Sequence, residues 1–306
     1  MAGDLPVGLT TAELRRSYTE QRLKLVGPAP RLAIEESFEL SGRDGPIPVR
    51  FYRASSDRTL RPLLVYFHGG GWMLGSLEGY DATCRRLAAK ADCGVLSVDY
   101  RLAPEWPFPA AVNDALDATR WCAAHAARLS THPSMLAVGG DSAGGNLAAV
   151  VAQQTRNDAD LRLALQVLIY AATDVSSESP SYRRHAEGYM LTAAAMRTFI
   201  GHYVPNPADR TDVRASPLLC DDLSRLPRAL VISAEFDPLV DENEAYARRL
   251  ADAGVPTQYR CFAGMLHPFF TLGALIDAAG EAENLVAEGL RAICHDPAVG
   301  RPTSVG

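Results

Sequence analysis

Gly140-Asp141-Ser142-Ala143-Gly144 sets a serine among small residues, directly after the apolar run 135–138 and directly before a helical pattern that opens at Ala143. A nucleophilic hydroxyl needs such a place. A sharp strand-to-helix turn pushes it above a sheet, and small residues two before and two after let the strained backbone pass. The helix N-terminus beneath it favours developing negative charge. The pentapeptide alone is common, and a glycine-rich loop that binds nothing is its competing reading. The strand–turn–helix setting makes it specific.

The second chemical signal is His68-Gly69-Gly70-Gly71-Trp72, which follows the strand-like run 63–67. Consecutive glycines let backbone N–H groups face a substrate that Cβ atoms would obstruct. Two such donors, with the N–H of Ala143, would receive the oxyanion of a tetrahedral intermediate, each donor being worth roughly 100- to 1,000-fold in rate. The spacing fits neither the dinucleotide nor the P-loop phosphate pattern.

A serine hydroxyl needs a base, and the base needs a partner that fixes its tautomer. Seven histidines compete. His267 follows the run 257–262 in the loop 264–268, so it lies at a strand's carboxyl end, as Ser142 does. His125 and His132 belong to a helix and its exit, His185 and His202 to a long insertion, and His295 to the tail. His68 is pinned to the glycine loop, which it shapes. The acid falls between serine and histidine in chain order. Residues 233–242 offer Glu235, Asp237, Asp241 and Glu242. Asp237 is preferred because it sits beside Pro238 in the loop, whereas Asp241 reads as a helix cap and Glu235 as buried against the strand.

The elements that must position these groups alternate along the chain. Strand-like runs are 34–40, 47–53, 63–67, 95–100, 135–138, 165–170, 229–233 and 257–262; helical patterns are 81–91, 110–128, 143–155, 241–253 and 275–292. The first two strands form an antiparallel edge pair across Gly42 and Gly45. The rest alternate with helices, which predicts a mostly parallel, eight-stranded sheet flanked by helices, with reactive groups beyond the strands' carboxyl ends. Two stretches break the alternation. Residues 10–26 are helical and open on a capping box, Thr10 with Glu13. Residues 173–217 form an insertion with a helix at 193–203, a length that suits a lid. Both are expected to cover one end of the sheet.

Composition bounds the function. The 306 residues are 47% hydrophobic and 22% charged with net charge −6, and the arginines are scattered among carboxylates. That excludes the basic stripe of a nucleic-acid binder. Six separated cysteines show no metal-binding spacing, no run reaches the roughly 18 apolar residues of a membrane span, and residues 1–16 lack a secretory signal pattern. A reducing cytoplasm is the expected compartment.

These motifs resemble the hormone-sensitive-lipase-like α/β hydrolases, the bacterial family IV esterases, along nearly the whole chain. Further matches are Asp99-Tyr100-Arg101-Leu102-Ala103-Pro104-Glu105, residues 107–111, and Asp237-Pro238-Leu239-Val240-Asp241-Glu242, where the family often carries Arg at position 240. The resemblance implies one α/β-hydrolase domain over residues 1–306, with a helical cap from about 1–30 and about 173–217. It implies Ser142, Asp237 and His267 as the triad and Gly70, Gly71 and Ala143 as oxyanion donors; the sequence leaves Gly69 open as a donor. It implies hydrolysis of short- to medium-chain carboxylic esters through an acyl-enzyme without metal or organic cofactor, and a homodimer. Trp72, Phe108 and Tyr189 are candidate pocket residues. The rival readings are a non-catalytic ligand receptor on the same scaffold, which would have lost the base, and hydrolysis of amides, lactones or acetylated sugars.

Overall fold

The computed structural model describes residues 8–295. The first seven residues of the expected cap and the polar tail from Asp296 lie outside the described residues.

Eight strands form one sheet: β1 (Ile34–Gly42), β2 (Gly45–Arg53), β3 (Leu63–Phe67), β4 (Gly94–Val98), β5 (Leu136–Asp141), β6 (Leu163–Ile169), β7 (Arg228–Phe236) and β8 (Thr257–Leu266). Their order is β1-β2-β4-β3-β5-β6-β7-β8. β2 runs antiparallel to both β1 and β4, and every later pairing is parallel. The edge hairpin and the parallel remainder are as the alternation predicts.

The middle strands are apolar on both faces because helices cover both. Alternate residues of β3 divide between two cores: Leu63, Val65 and Phe67 join one, Leu64 and Tyr66 the other. The first core includes α3 (Ala110–Ala124), α4 (Ala143–Gln154) and α7 (Val240–Asp252). The second is closed by α2 (Leu77–Ala91) and α8 (Asp277–Ala292). Continuous burial of β3, β4 and β5 is what a sheet covered on both sides demands.

The two irregular stretches add to the first core, through Leu14 of one and Met196, Phe199, Ile200 and Tyr203 of the other. α1 (Thr11–Leu25) starts with the expected capping box: Glu13 N–H donates to the Thr10 hydroxyl, and Thr10 N–H donates to the Glu13 carboxylate. The stretch between β6 and β7 holds α5 (Pro180–Arg184) and α6 (Ala193–Tyr203). α6 docks on the glycine loop, with Tyr203 stacked on Trp72 at a ring separation of 4.4 Å.

Several strand ends run further than the apolar pattern suggests. β7 continues to Phe236 and β8 to Leu266, so Asp237 and His267 each stand one residue beyond a strand. Glu235 and Gly264 belong to these extensions, which polar and glycine content hid.

Candidate active site

Ser142 follows β5 immediately and caps α4 with φ 55° and ψ −119°, a conformation that L residues rarely adopt. The neighbouring glycines make that turn possible. A Cβ on Gly144 would run into the Phe67 and His68 carbonyls, and one on Gly140 into the Phe67 carbonyl and the backbone of Gly144. The serine is nevertheless only slightly exposed.

His267 Nε2 lies 3.1 Å from Ser142 Oγ, where it accepts the hydroxyl proton. His267 Nδ1 donates to Asp237 Oδ2 at 2.8 Å, which fixes the Nδ1–H tautomer and leaves Nε2 free as acceptor. Asp237 is fully buried, and its other oxygen accepts Leu239 N–H at 2.9 Å. The Tyr170 ring packs against the imidazole at 4.3 Å.

The other acids are occupied elsewhere. Asp241 pairs with Arg184 and accepts Ser181 N–H. It does not cap α7 as its position suggested: that helix begins one residue earlier and has no side-chain cap, so Asp241 lies in its first turn. Glu242 is buried and accepts from the N–H groups of Thr173 and Asp174. Glu235 is exposed, not buried against the strand, and takes Gly264 N–H.

Gly69 N–H donates to Asp141 Oδ1 at 3.0 Å, so it is committed. Among the described residues, the N–H groups of Gly70, Gly71 and Ala143 have no hydrogen-bond acceptor. Gly70 and Gly71 have positive φ, a conformation open to glycine at little cost, and both line the cavity that Ser142 lines. Below the loop, Asp141 also accepts from Tyr66 and Tyr80 at 2.7 and 3.0 Å. Burial pushes its carboxyl up, while Arg22 and these two hydroxyls pull it down. Sequence reasoning missed this network; Asp141 read only as spacing within the pentapeptide.

The stretch after β4 braces the glycine loop. Tyr100 donates to the His68 carbonyl at 2.7 Å, and Ala103 N–H to the Trp72 carbonyl. Arg101 instead pairs with Asp114 and Asp44, and Glu105 with Arg15 of α1.

A cavity of about 80 Å³ opens on Ser142 and His267 between Gly70 and Gly71 on one side and Leu191, Met196 and Phe199 on the other; Tyr18 and Met190 complete it. The expected pocket aromatics are elsewhere. Trp72 is buried under Tyr203, Phe108 meets Tyr203 edge-on, and Tyr189 stacks on Phe236. A larger hollow of about 640 Å³ lies at the other end of the sheet, where the chain enters β6 and β7. None of the serine, histidine and acid described above lines it.

Residues 64–271 match the family described as the alpha/beta hydrolase fold. The chain is 42% identical over 287 residues to the ethyl acetate hydrolase of Pseudomonas putida, covering 92% of this chain and 90% of that protein. It is 42% identical over 272 residues to the carboxylic ester hydrolase LipN of Mycobacterium tuberculosis, covering 87% and 72%. The hyperthermophilic esterase from the archaeon Pyrobaculum calidifontis superposes with a TM-score of 0.91 at 38% identity, covering 96% of this chain and 94% of that one.

Proposed function

The chain belongs to the hormone-sensitive-lipase-like esterases of the α/β-hydrolase family and hydrolyses carboxylic esters; from that premise we propose that Ser142, His267 and Asp237 do the chemistry. The observation that carries this assignment is the hydrogen-bonded sequence Ser142–His267–Asp237, each member at its own strand's carboxyl end.

Ser142 Oγ attacks the ester carbonyl as its proton passes to His267 Nε2, while Asp237 holds the imidazole and offsets its charge. The N–H groups of Gly70, Gly71 and Ala143 receive the oxyanion. The intermediate expels the alkoxide, which takes the proton from His267 and leaves as alcohol. Water then gives its proton to His267 and attacks the acyl-enzyme, and Ser142 recovers the proton as the acid departs. No step calls on a metal or organic cofactor.

Helix α1 and the stretch 173–217 form the cap, a reading supported by Tyr18 of the first and Leu191, Met196 and Phe199 of the second lining one cavity. Pockets for drug-sized ligands occupy about 300–1,000 Å³. At about 80 Å³ this one favours short acyl chains, and its methionines can yield to medium ones.

Among the described residues no helix is long and apolar enough to cross a membrane. The reading extends to the cytoplasm, supported by six unpaired cysteines of which Cys84, Cys93 and Cys122 are buried, and to a homodimer, on family resemblance.

A series of p-nitrophenyl esters from acetate to decanoate, run on wild type and Ser142→Ala, tests the assignment. Turnover should peak at short chains and vanish in the variant. Turnover surviving in folded Ser142→Ala would refute it.

A further inference from the structure

Arg22 is a buried arginine on helix α1 that the mechanism above does not use. Its guanidinium lies over the Tyr80 ring, 3.7 Å from the centroid. Nε donates to the Gly79 carbonyl at 3.1 Å and Nη1 to the Thr271 hydroxyl at 3.2 Å. From there two chains of bonds reach the reaction centre. Tyr80 donates to Asp141 Oδ2, and Asp141 Oδ1 accepts Gly69 N–H, one residue before the free amides of Gly70 and Gly71. Thr271 in turn donates to the Pro268 carbonyl, next to His267.

Anchoring a helix does not require this arrangement. A leucine or methionine at position 22 could dock α1 without taking a charge out of water, and buried charges are weak sources of stability. What a cation on Tyr80 adds is electrostatic. It strengthens the phenol as a donor, and hydrogen-bond chains in a dry interior reinforce one another. Asp141 is buried, so its hydroxyl partners and its distant cation determine how firmly it grips the glycine loop.

We propose that Arg22 is a positioning residue: through Tyr80 and Asp141 it fixes the aim of the Gly70 and Gly71 amides, and through Thr271 the seat of His267. Docking of α1 is thereby a condition for stabilising the transition state, while Tyr18, one turn earlier on the same helix, lines the cavity that receives the substrate. The inference rests on the oxyanion and triad assignments above.

The test compares wild type with Arg22→Met and Arg22→Lys on a short p-nitrophenyl ester, alongside the affinity of a trifluoromethyl ketone that mimics the tetrahedral intermediate. For Arg22→Met kcat should fall about 10- to 100-fold and ketone affinity by the same factor, since misaimed amides lose part of an oxyanion donor's worth. KM should stay within about twofold. Arg22→Lys, which keeps the charge, should recover part of the loss.

A mere anchor would lower thermal stability and leave both constants alone below the melting point, which overturns the proposal, as does a rise in KM without loss of kcat. Should Arg22→Met fail to fold, Tyr80→Phe removes a single hydroxyl from the same path. It should lower kcat and ketone affinity together by about 3- to 10-fold, part of the worth of one hydrogen bond to a carboxylate; unchanged kcat refutes the route. Ser142→Ala in parallel separates the failures. If it is inactive while folded Arg22→Met turns over normally, the proposal alone falls. If it remains active, the site assignment falls and carries the proposal with it.

Discussion

The ring of Phe199 occupies the space that any side chain on Gly71 would need: a Cβ there would overlap the Phe199 ring carbons. Helix α6 thus rests directly on the glycine loop. Gly71 also has φ 62°, which an alanine tolerates at a cost of roughly 1 kcal/mol.

Gly71→Ala should therefore reduce kcat about 100-fold or more, equivalent to losing one oxyanion donor. Phe199→Ala alone should retain kcat within several-fold and extend activity to longer acyl chains. The double variant should be more active than Gly71→Ala, because the obstructing ring is gone. Steady-state kinetics on three ester lengths decide it. A double variant no better than Gly71→Ala would place the obstacle in the backbone, not in the ring.

The acid assignment makes a sharp contrast between neighbours. Asp237→Asn should lower kcat by roughly 10³- to 10⁴-fold, since an amide can present the wrong group to His267 Nδ1. Asp241→Asn touches only Arg184 and the Ser181 amide, so kcat should change less than about threefold, as for an exposed ion pair. Reversed magnitudes would reassign the acid.

Ser142 pits activity against stability. A serine held at φ 55° and ψ −119° stores on the order of 1–3 kcal/mol of backbone strain. Glycine relieves it but makes the unfolded chain freer. Ser142→Gly should gain about 1 kcal/mol by urea denaturation and lose turnover, while Ser142→Ala, with the same backbone cost, should stay near wild type. A glycine variant no more stable than the alanine one would show that the turn is relaxed.

The chemistry was legible because catalysis places rare residue types at fixed points of the alternation. Ser142 and the glycine loop each follow a run of apolar residues, His267 follows a strand-like run of mixed character, and both strand pattern and motif point to the same end of the sheet. Loop position separates Asp237 from Asp241 in the sequence, although Asp241 is no helix cap: α7 begins at Val240 without a side-chain cap. Gly69 could not be told from Gly70 as a donor, since that depends on Asp141 capturing one amide and not the next. Pocket residues were the least readable. Trp72 and Phe108 have the right chemistry, but their direction is set by contact with Tyr203, far along the sequence. Period and motif encode what a local stretch does; who meets whom across the insertion between β6 and β7 is a property of packing.

His68 and Asp99, whose Nε2 and Oδ1 lie 3.8 Å apart, make opposite contributions to stability against pH. His68 is fully buried, stacked on Tyr100 and donating from Nδ1 to Gly69, and burial lowers its pKa to about 4. For Asp99, burial and then the charge of Glu78 raise the pKa to about 6, with Arg50 and Arg15 opposing. Between about 6.5 and about 4 the unfolded chain protonates this histidine and the fold refuses the proton, so falling pH removes stability through His68. Over nearly the same range the fold protonates Asp99 before the unfolded chain does, so falling pH adds stability through Asp99. The two largely offset each other in wild type. Asp99→Asn removes only the second. The variant should melt higher than wild type at pH 7.5, where the raised carboxylate costs stability, and lose that lead as pH falls through about 6 towards about 4. About a third of the Asp99 side chain is exposed, so screening keeps the lead to a few degrees. Melting temperatures at half-unit steps from pH 4 to pH 7.5 measure it; a difference that does not vary with pH would mean that Asp99 is ionised as freely in the fold as outside it.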